Sequence, residues 1–417
     1  MSAPAGTRST AARPAPAGID LADPAFWRRP AADRAAAFAE LRRLDGPVVF
    51  TDRATGRPFH ALVRHADVVA ASRNPAVFVS APGVTTPEPA RWVRTVFGDS
   101  MVNLDDPRHA DLRRVVSRAF TPRLITRVEE DIRSLAVEIV DGVAARRPED
   151  FVAAVAAELP YQVICRMMGI PARQRRQILD QVNRASEHTG VARSRIRIPG
   201  RGLRALARMQ LVIAALGRER RRRPTEDLIS ALVAADVDGR HLNSRELGAF
   251  FSLLLVAGVE TTRNALAHGL HLLTTHPEQR DLLLGDLDAH LGGAVDEIIR
   301  FSTPIIQFRR TVAADHDLNG TRLAAGDKVV LFFGSANRDE AVFTDPDTFD
   351  LTRSPNPHLG FGGGGPHYCL GAYLARQEMK SLYRELFTRL PRVRSIGDPV
   401  LVPSSFDHRV RSLRFTF

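Results

Sequence analysis

The stretch His358-Leu-Gly-Phe-Gly-Gly-Gly-Gly-Pro-His-Tyr-Cys-Leu-Gly371 decides how the rest of this chain is read. It sets Cys369 at the end of a glycine-packed loop, directly before the helical pattern Leu370-Gly-Ala-Tyr-Leu-Ala-Arg-Gln-Glu-Met379. Four consecutive glycines, Gly362 to Gly365, leave a backbone that a flat partner can approach closely, since no Cβ intervenes. The helix begins at the sulfur, so its free N–H groups and positive dipole end favour thiolate over thiol. A thiolate held by backbone donors beside an open backbone surface suits an axial ligand of haem iron.

Two other readings compete. Gly360-Phe-Gly362-Gly-Gly-Gly365 matches GxGxxG, a dinucleotide pattern only where it joins a strand to a helix. Here the proline-broken Asp350-Leu-Thr-Arg-Ser-Pro-Asn-Pro357 precedes it, and no strand is available. A buried, inert thiol is the ordinary fate of a lone cysteine. The polar neighbours and the glycines argue against it.

The stretch resembles the haem-binding loop of the cytochrome P450 family, Phe-Gly-x-Gly-x-His-x-Cys-x-Gly. Phe361 lies one residue farther from Cys369 than that pattern has it, so the loop carries an extra glycine. This lengthening is similar to a bacterial subgroup that hydroxylates steroid side chains and methyl-branched lipids. The resemblance implies a mainly helical fold with small β-sheets, a triangular prism with haem b between a long central helix and the cysteine loop. It implies Cys369 as metal ligand, with Phe361, His367 and Gly371 against the cofactor.

Length alone allows more than one domain and a large core. We expect a disordered tail over residues 1–18, rich in Ala, Pro and Ser or Thr, and one catalytic domain over 19–417. Cys165 and Cys369 are the only cysteines; Cys165 sits in an apolar helical pattern and reads as core packing. So few cysteines exclude a disulfide framework and fit a reducing cytoplasm. The net charge of +11 comes almost wholly from arginine, with Lys328 and Lys380 the only lysines. No nucleic-acid motif accompanies it, so no nucleic-acid partner is expected. No run reaches membrane-span length and no secretory pattern opens the chain, so no membrane attachment is expected either.

Gly46 to Thr51 and Pro58 to Val63 read as a hairpin about a glycine turn, and His65 to Asn74 as a helix. Ser80 to Asp99 is a long patternless connection, expected to cover the active site. In Asn103-Leu-Asp-Asp-Pro-Arg-His-Ala-Asp-Leu-Arg113, His109 and Arg113 share one helix face. Alone that is an ordinary surface pair; the resemblance through Phe120 and Pro122 implies a clamp on a haem propionate. Ser186 to Gly202 breaks the helical pattern into an arginine-rich loop, by resemblance the roof of a substrate cavity.

Asn243-Ser-Arg-Glu246 opens as a capping box, and a helical pattern then runs unbroken to Thr275. In its middle lies Ala257-Gly-Val-Glu-Thr-Thr262. The small Ala257 and Gly258 leave room for a flat cofactor and a diatomic ligand. Glu260 and Thr261 form an acid–alcohol pair. The residues equally fit a threonine bonded back along its helix beside a surface glutamate. The resemblance selects oxygen activation, with Thr261 hydrogen-bonding oxygen and Glu260 relaying protons. Peroxide-using relatives replace this pair, so O2 is the implied oxidant.

Glu297 and Arg300 stand one turn apart and resemble the family's fold-locking ion pair. Arg310 and His367 match its propionate-binding positions, and Pro304 to Phe308 its cavity wall. The segment Leu401 to Phe406 is expected at a hairpin tip near substrate. With no flavin or iron–sulfur module recognisable, electrons are expected from a ferredoxin and an NAD(P)H-linked ferredoxin reductase. Arg114 and Arg376 are candidate docking charges.

Together these readings describe a cytoplasmic, monomeric haem-thiolate monooxygenase that hydroxylates a C–H bond of a hydrophobic substrate, a steroid or methyl-branched lipid. The alternative substrate class is a terpenoid or polyketide natural product. A non-catalytic haem-thiolate sensor conflicts with the acid–alcohol pair, and a cysteine hydrolase lacks a triad.

Overall fold

The computed structural model describes residues 13–53, 55–86, 100–176, 178, 200–237 and 240–417. Its helices are α1 (Ala31–Arg43), α2 (His65–Arg73), α3 (Arg108–Ala119), α4 (Pro122–Arg146), α5 (Glu158–Met167) and α6 (Gly200–Arg222). They continue with α7 (Leu228–Ala234), α8 (Ser244–Thr275), α9 (Pro277–Gly285), α10 (Leu287–Ser302), α11 (Phe333–Ala336) and α12 (Ala372–Arg389). The expected helical architecture with small sheets is present.

Helix α8 is the axis of this arrangement. Its 32 residues rise about 48 Å. Asn243 Oδ1 accepts from the amides of Arg245 and Glu246, and Glu246 returns a bond to the Asn243 amide, completing the expected capping box. Phe251, Leu255, Leu266, Leu270 and Leu273 bury its two halves within the main core. Helices α5, α6 and α10 pack on it, while α12 packs on α4 and α10. The middle differs: Val256 is 51% exposed and Ala257 is exposed, so the buried axis opens onto a space there.

The main sheet comprises β1 (Arg13–Pro14), β2 (Val48–Thr51), β3 (Pro58–Leu62), β4 (Phe78–Val79), β5 (Gln307–Val312) and β6 (Lys328–Phe332), ordered β1-β2-β3-β6-β5-β4. The expected hairpin is β2–β3, with Phe50 opposite Phe59. Trp27 and Phe38 cover one face against Phe332. The expected tail over 1–18 is corrected in its last third. Arg13 and Pro14 pair in parallel with Val48 and Val49, and Ala15 packs on the core beneath. Residues 1–12 lie outside the described part.

The expected cover, Ser80 to Asp99, is described only to Thr86, where Val84 is buried and its carbonyl accepts from the Arg309 amide at 2.7 Å. Of the arginine-rich 186–202 segment, Gly200 to Gly202 belong to helix α6 and 186–199 lie outside the described residues. Among the described residues no helix is long and apolar enough to cross a membrane.

Glu297 and Arg300 of α10 are fully buried, joined by bonds of 2.7 and 2.8 Å. Arg300 also donates to the carbonyls of Asn337, Pro346 and Thr348, and Arg353, missed in the sequence, approaches Glu297 at 3.4 Å. This network fixes the segment that leads into the cysteine loop.

Candidate functional site

The cysteine loop rests on helix α2. A Cβ on Gly363 would meet Ser72 and the Val68 carbonyl, and one on Gly365 would overlap the backbone oxygen of Ser72. Gly362, Gly364 and Gly365 also have positive φ. The expectation that the glycines serve mainly a flat partner is therefore corrected. Three of the four seat the loop on its own protein, because no side chain fits between loop and helix.

The loop presents Cys369, an exposed residue whose sulfur nonetheless has protein on most sides. Its amide donates to the Phe361 carbonyl at 3.0 Å, and its sulfur accepts from the backbone of Gly371, the N-cap of α12. The expected donation at the helix start is present, but it does not set the balance. Surrounding protein desolvates the thiol and raises its pKa above the ordinary value, outweighing Gly371, Arg113 and Arg376, which all favour the anion. An arriving cation must displace the proton. Cys165, by contrast, is fully buried and its pKa is pushed up to about 11, as expected of core packing.

Beside the loop stands a basic group of four. Arg113 donates to the Tyr368 carbonyl at 2.7 Å. His109 is buried, with its ring 4.0 Å from that of His367. His367 Nε2 lies 3.0 Å from Ser80 Oγ. Burial, then the charges of Arg310, His109 and Arg113, push its pKa down to about 3, so the imidazole is neutral near neutral pH. Arg310 is buried and donates to the Arg309 carbonyl at 2.8 Å; desolvation lowers its pKa to about 10. Among the described residues neither Arg113 nor Arg310 forms an ion pair with a carboxylate. Two guanidiniums without an ion-paired carboxylate, with the imidazoles of His367 and of His109, which lies 3.4 Å from Asp106, stand next to the thiol and fit the carboxylates of a haem.

On α8, Ala257 lies on the exposed stretch, as a close-approach site requires. Gly258 does not. A Cβ there would meet Ile164 Cδ1 at 3.0 Å, so the missing side chain gives room to helix α5. Thr261 Oγ1 bonds back to the Ala257 carbonyl at 2.7 Å, half of the bland alternative. Glu260 refuses the other half. It is buried, 3.4 Å from Arg263 and 3.9 Å from Arg409. The i, i+3 spacing of Glu260 and Arg263 was a legible signal, whereas Arg409 was not. Thr262 bonds to Glu378 of α12, whose complete burial pushes its carboxyl up to about 8. A glutamate between apolar positions of that helix was the only sequence hint.

Ile305 and Phe308 are partly open, and the Phe308 ring lies 5.7 Å from that of Phe406. Val400–Leu401 pairs with Val410–Ser412, the expected hairpin. Arg114 is exposed and paired with Asp111 at 2.9 Å. Arg376 is no spare charge: it binds Asp296 at 2.7 Å and covers the Phe361 ring.

Residues 207–390 match the family described as Cytochrome P450. A methyl-branched lipid omega-hydroxylase of Mycobacterium tuberculosis (strain CDC 1551 / Oshkosh) is 43% identical, over 96% of this chain and 95% of that protein. A steroid C26-monooxygenase of Mycolicibacterium smegmatis is 36% identical, over 88% of this chain and 87% of its own. The Mycobacterium marinum cytochrome P450 CYP268A2, solved in complex with pseudoionone, aligns with a TM-score of 0.88 at 41% identity, over 96% of this chain and 98% of that one.

Proposed function

This chain belongs to the cytochrome P450 family, and from that premise we propose that Cys369 would hold, as thiolate, the iron of a haem b with which the enzyme hydroxylates a methyl-branched lipid or steroid side chain. The observation that carries the site is the basic group beside the exposed thiol: Arg113, Arg310, His109 and His367, with no ion-paired carboxylate on either arginine among the described residues. Arg113 and Arg310 would hold the two propionates as charge-assisted donors, with the imidazoles of His109 and His367 completing the hydrogen bonds. The Gly371 amide, Arg113 and Arg376 stabilise the Cys369 anion once its proton has left. Phe361 is held under the Arg376 guanidinium at 4.4 Å, and its carbonyl accepts from the Cys369 amide, which fixes the turn that carries the sulfur.

When bound, haem supplies the activation of O2, consuming two electrons and two protons per substrate oxidised. Glu260 and Thr261 supply those protons at the open middle of α8. Thr261 first releases the Ala257 carbonyl, a single helix-backbone bond of 2.7 Å. Electrons come from a ferredoxin and its NAD(P)H-linked reductase in the cytoplasm, with exposed Arg114 on the docking face, and the enzyme acts as a monomer.

The test is optical. The reduced protein under CO must give the red-shifted Soret band of a thiolate-ligated haem, and Cys369→Ser must abolish it. Titration with a methyl-branched fatty acid, a steroid ketone, pseudoionone and a macrolide aglycone then ranks substrate classes. Saturable high-spin shifts with the first two are expected. A response confined to pseudoionone or the macrolide would replace the lipid reading with natural-product oxidation.

A further inference from the structure

We propose that Arg409 is a positioning residue for Glu260, holding its carboxylate by charge and tying it to the turn beside Phe406. The inference rests on the reading that Glu260 delivers protons. Glu260, Arg263, Asp407 and Arg409 form a cluster of two carboxylates and two guanidiniums with side chains no more than 15% exposed. Within it Asp407 takes the short bonds. Its Oδ2 accepts from Arg409 Nη2 at 2.8 Å and Nε at 3.0 Å. Glu260 receives a long bond of 3.4 Å from Arg263 and only the charge of Arg409 at 3.9 Å, and its buried Oε2 has no hydrogen-bond partner among the described residues.

Glu297 shows what a structural carboxylate looks like in the same molecule. Its two oxygens accept from Arg300, the Asp350 amide, Arg353 and Asn356. Such a group is locked. Glu260 is charge-balanced but underbonded, a state that lets a carboxylate take up a proton and turn without breaking a strong bond. The turn carrying Arg409 is itself fastened to the segment before β5. The Ile306 amide donates to the Phe406 carbonyl at 2.8 Å and the His408 amide to the Pro304 carbonyl at 3.0 Å. Arg263 and Asn264 of α8 reach the backbone of Val410. The clamp therefore references Glu260 to two chain segments outside its own helix.

The experiment compares Arg409→Gln, Arg409→Lys, Glu260→Gln and the Glu260→Gln/Arg409→Gln double variant as holoenzymes, using whichever substrate gives the spin shift. Product and hydrogen peroxide are measured against reductant consumed. Electrons that miss the substrate leave as peroxide, formed from O2, two electrons and two protons. Arg409→Gln is expected to lower the product fraction about threefold, with substrate affinity within about twofold of wild type. Arg409→Lys should recover most of it, and the double variant should resemble Glu260→Gln alone. Thermal midpoints of the four holoenzymes should show the same non-additivity. If Arg409→Gln does not take up haem, Arg409→Met takes its place in the comparison, with the same loss of product fraction expected. A wild-type product fraction in the Arg409 variants, with Glu260→Gln uncoupled, overturns the proposal, as do additive losses. A fully coupled Glu260→Gln overturns the proton role itself, and the positioning role with it.

Discussion

Gly365→Ala separates two uses of the glycine loop, seating on α2 and admission of a flat ligand. Gly365 has φ +74°, and a Cβ there would overlap the Ser72 backbone oxygen, which no side-chain rotation moves. Left-handed backbone costs alanine about 1–2 kcal/mol. Lifting a packed loop off a helix adds about 1–3 kcal/mol, the range of overpacked cores. At ~2.1 cal/mol/K per residue, 417 residues give an unfolding entropy of about 0.9 kcal/mol/K. The sum, about 2–5 kcal/mol, then lowers Tm by about 2–6 °C. Gly362 has φ +99° but its nearest atom lies 3.9 Å from a Cβ, so Gly362→Ala bears only the backbone cost. That amounts to about 1–2 °C. Calorimetry of the holoproteins, with haem-to-protein ratios after desalting, reads both effects. A Gly365→Ala protein that melts with wild type, while Gly362→Ala loses haem, would refute the seating argument.

Arg300→Leu leaves Glu297 buried with Arg353, at 3.4 Å, as the one cation beside it among the described residues, and orphans three carbonyls. Calorimetry should show a loss of about 3–5 kcal/mol, or about 3–6 °C, whereas a surface arginine such as Arg114 should cost under about 1 kcal/mol. His268 and His408 predict an acid limb in stability. Burial lowers both to about 4, against 6.5 unfolded, so the folded state binds fewer protons. Their contribution is complete above about pH 6.5 and is lost as pH falls toward 4, by about 1–3 kcal/mol each, since both residues keep some surface open. Denaturant titrations from pH 7 to 4 should show this, and His268→Gln should flatten the curve.

What the chain revealed by itself was local. The capping box of Asn243 and Glu246, the run to Thr275, the β2–β3 hairpin and the Glu297–Arg300 pair all lie within a few turns of sequence. Their physics is that of one helix or one turn. What it concealed was contact at long range. Ser72 lies far upstream of Gly365, so the glycines read as openness when they are contact. Arg409 and Glu260 are separated similarly, and no spacing rule joins them. Gly258 misled for the same reason, since nothing in its neighbours names Ile164.

The Cys369 correction has a more general cause. A helix dipole and nearby guanidiniums are legible from sequence, because a helix start and basic residues can be counted. Desolvation is not, because it depends on everything packed around the sulfur. Here it wins. The same packing that raises the thiol lowers Arg310 to about 10 and His367 to about 3. All three shifts point one way: the folded chain holds these groups at a cost in their ionised forms. A ligand bearing a metal cation for the sulfur and carboxylates for the arginines offsets each cost with opposite charge. With the haem held as proposed, its affinity and the fold's stability would be coupled through these residues. Arg310→Gln should weaken haem retention more than it weakens the apoprotein, because the substitution removes a buried cation that only the ligand's carboxylate repays. Comparable losses in holo and apo stability would show that Arg310 supports the sheet and not the ligand.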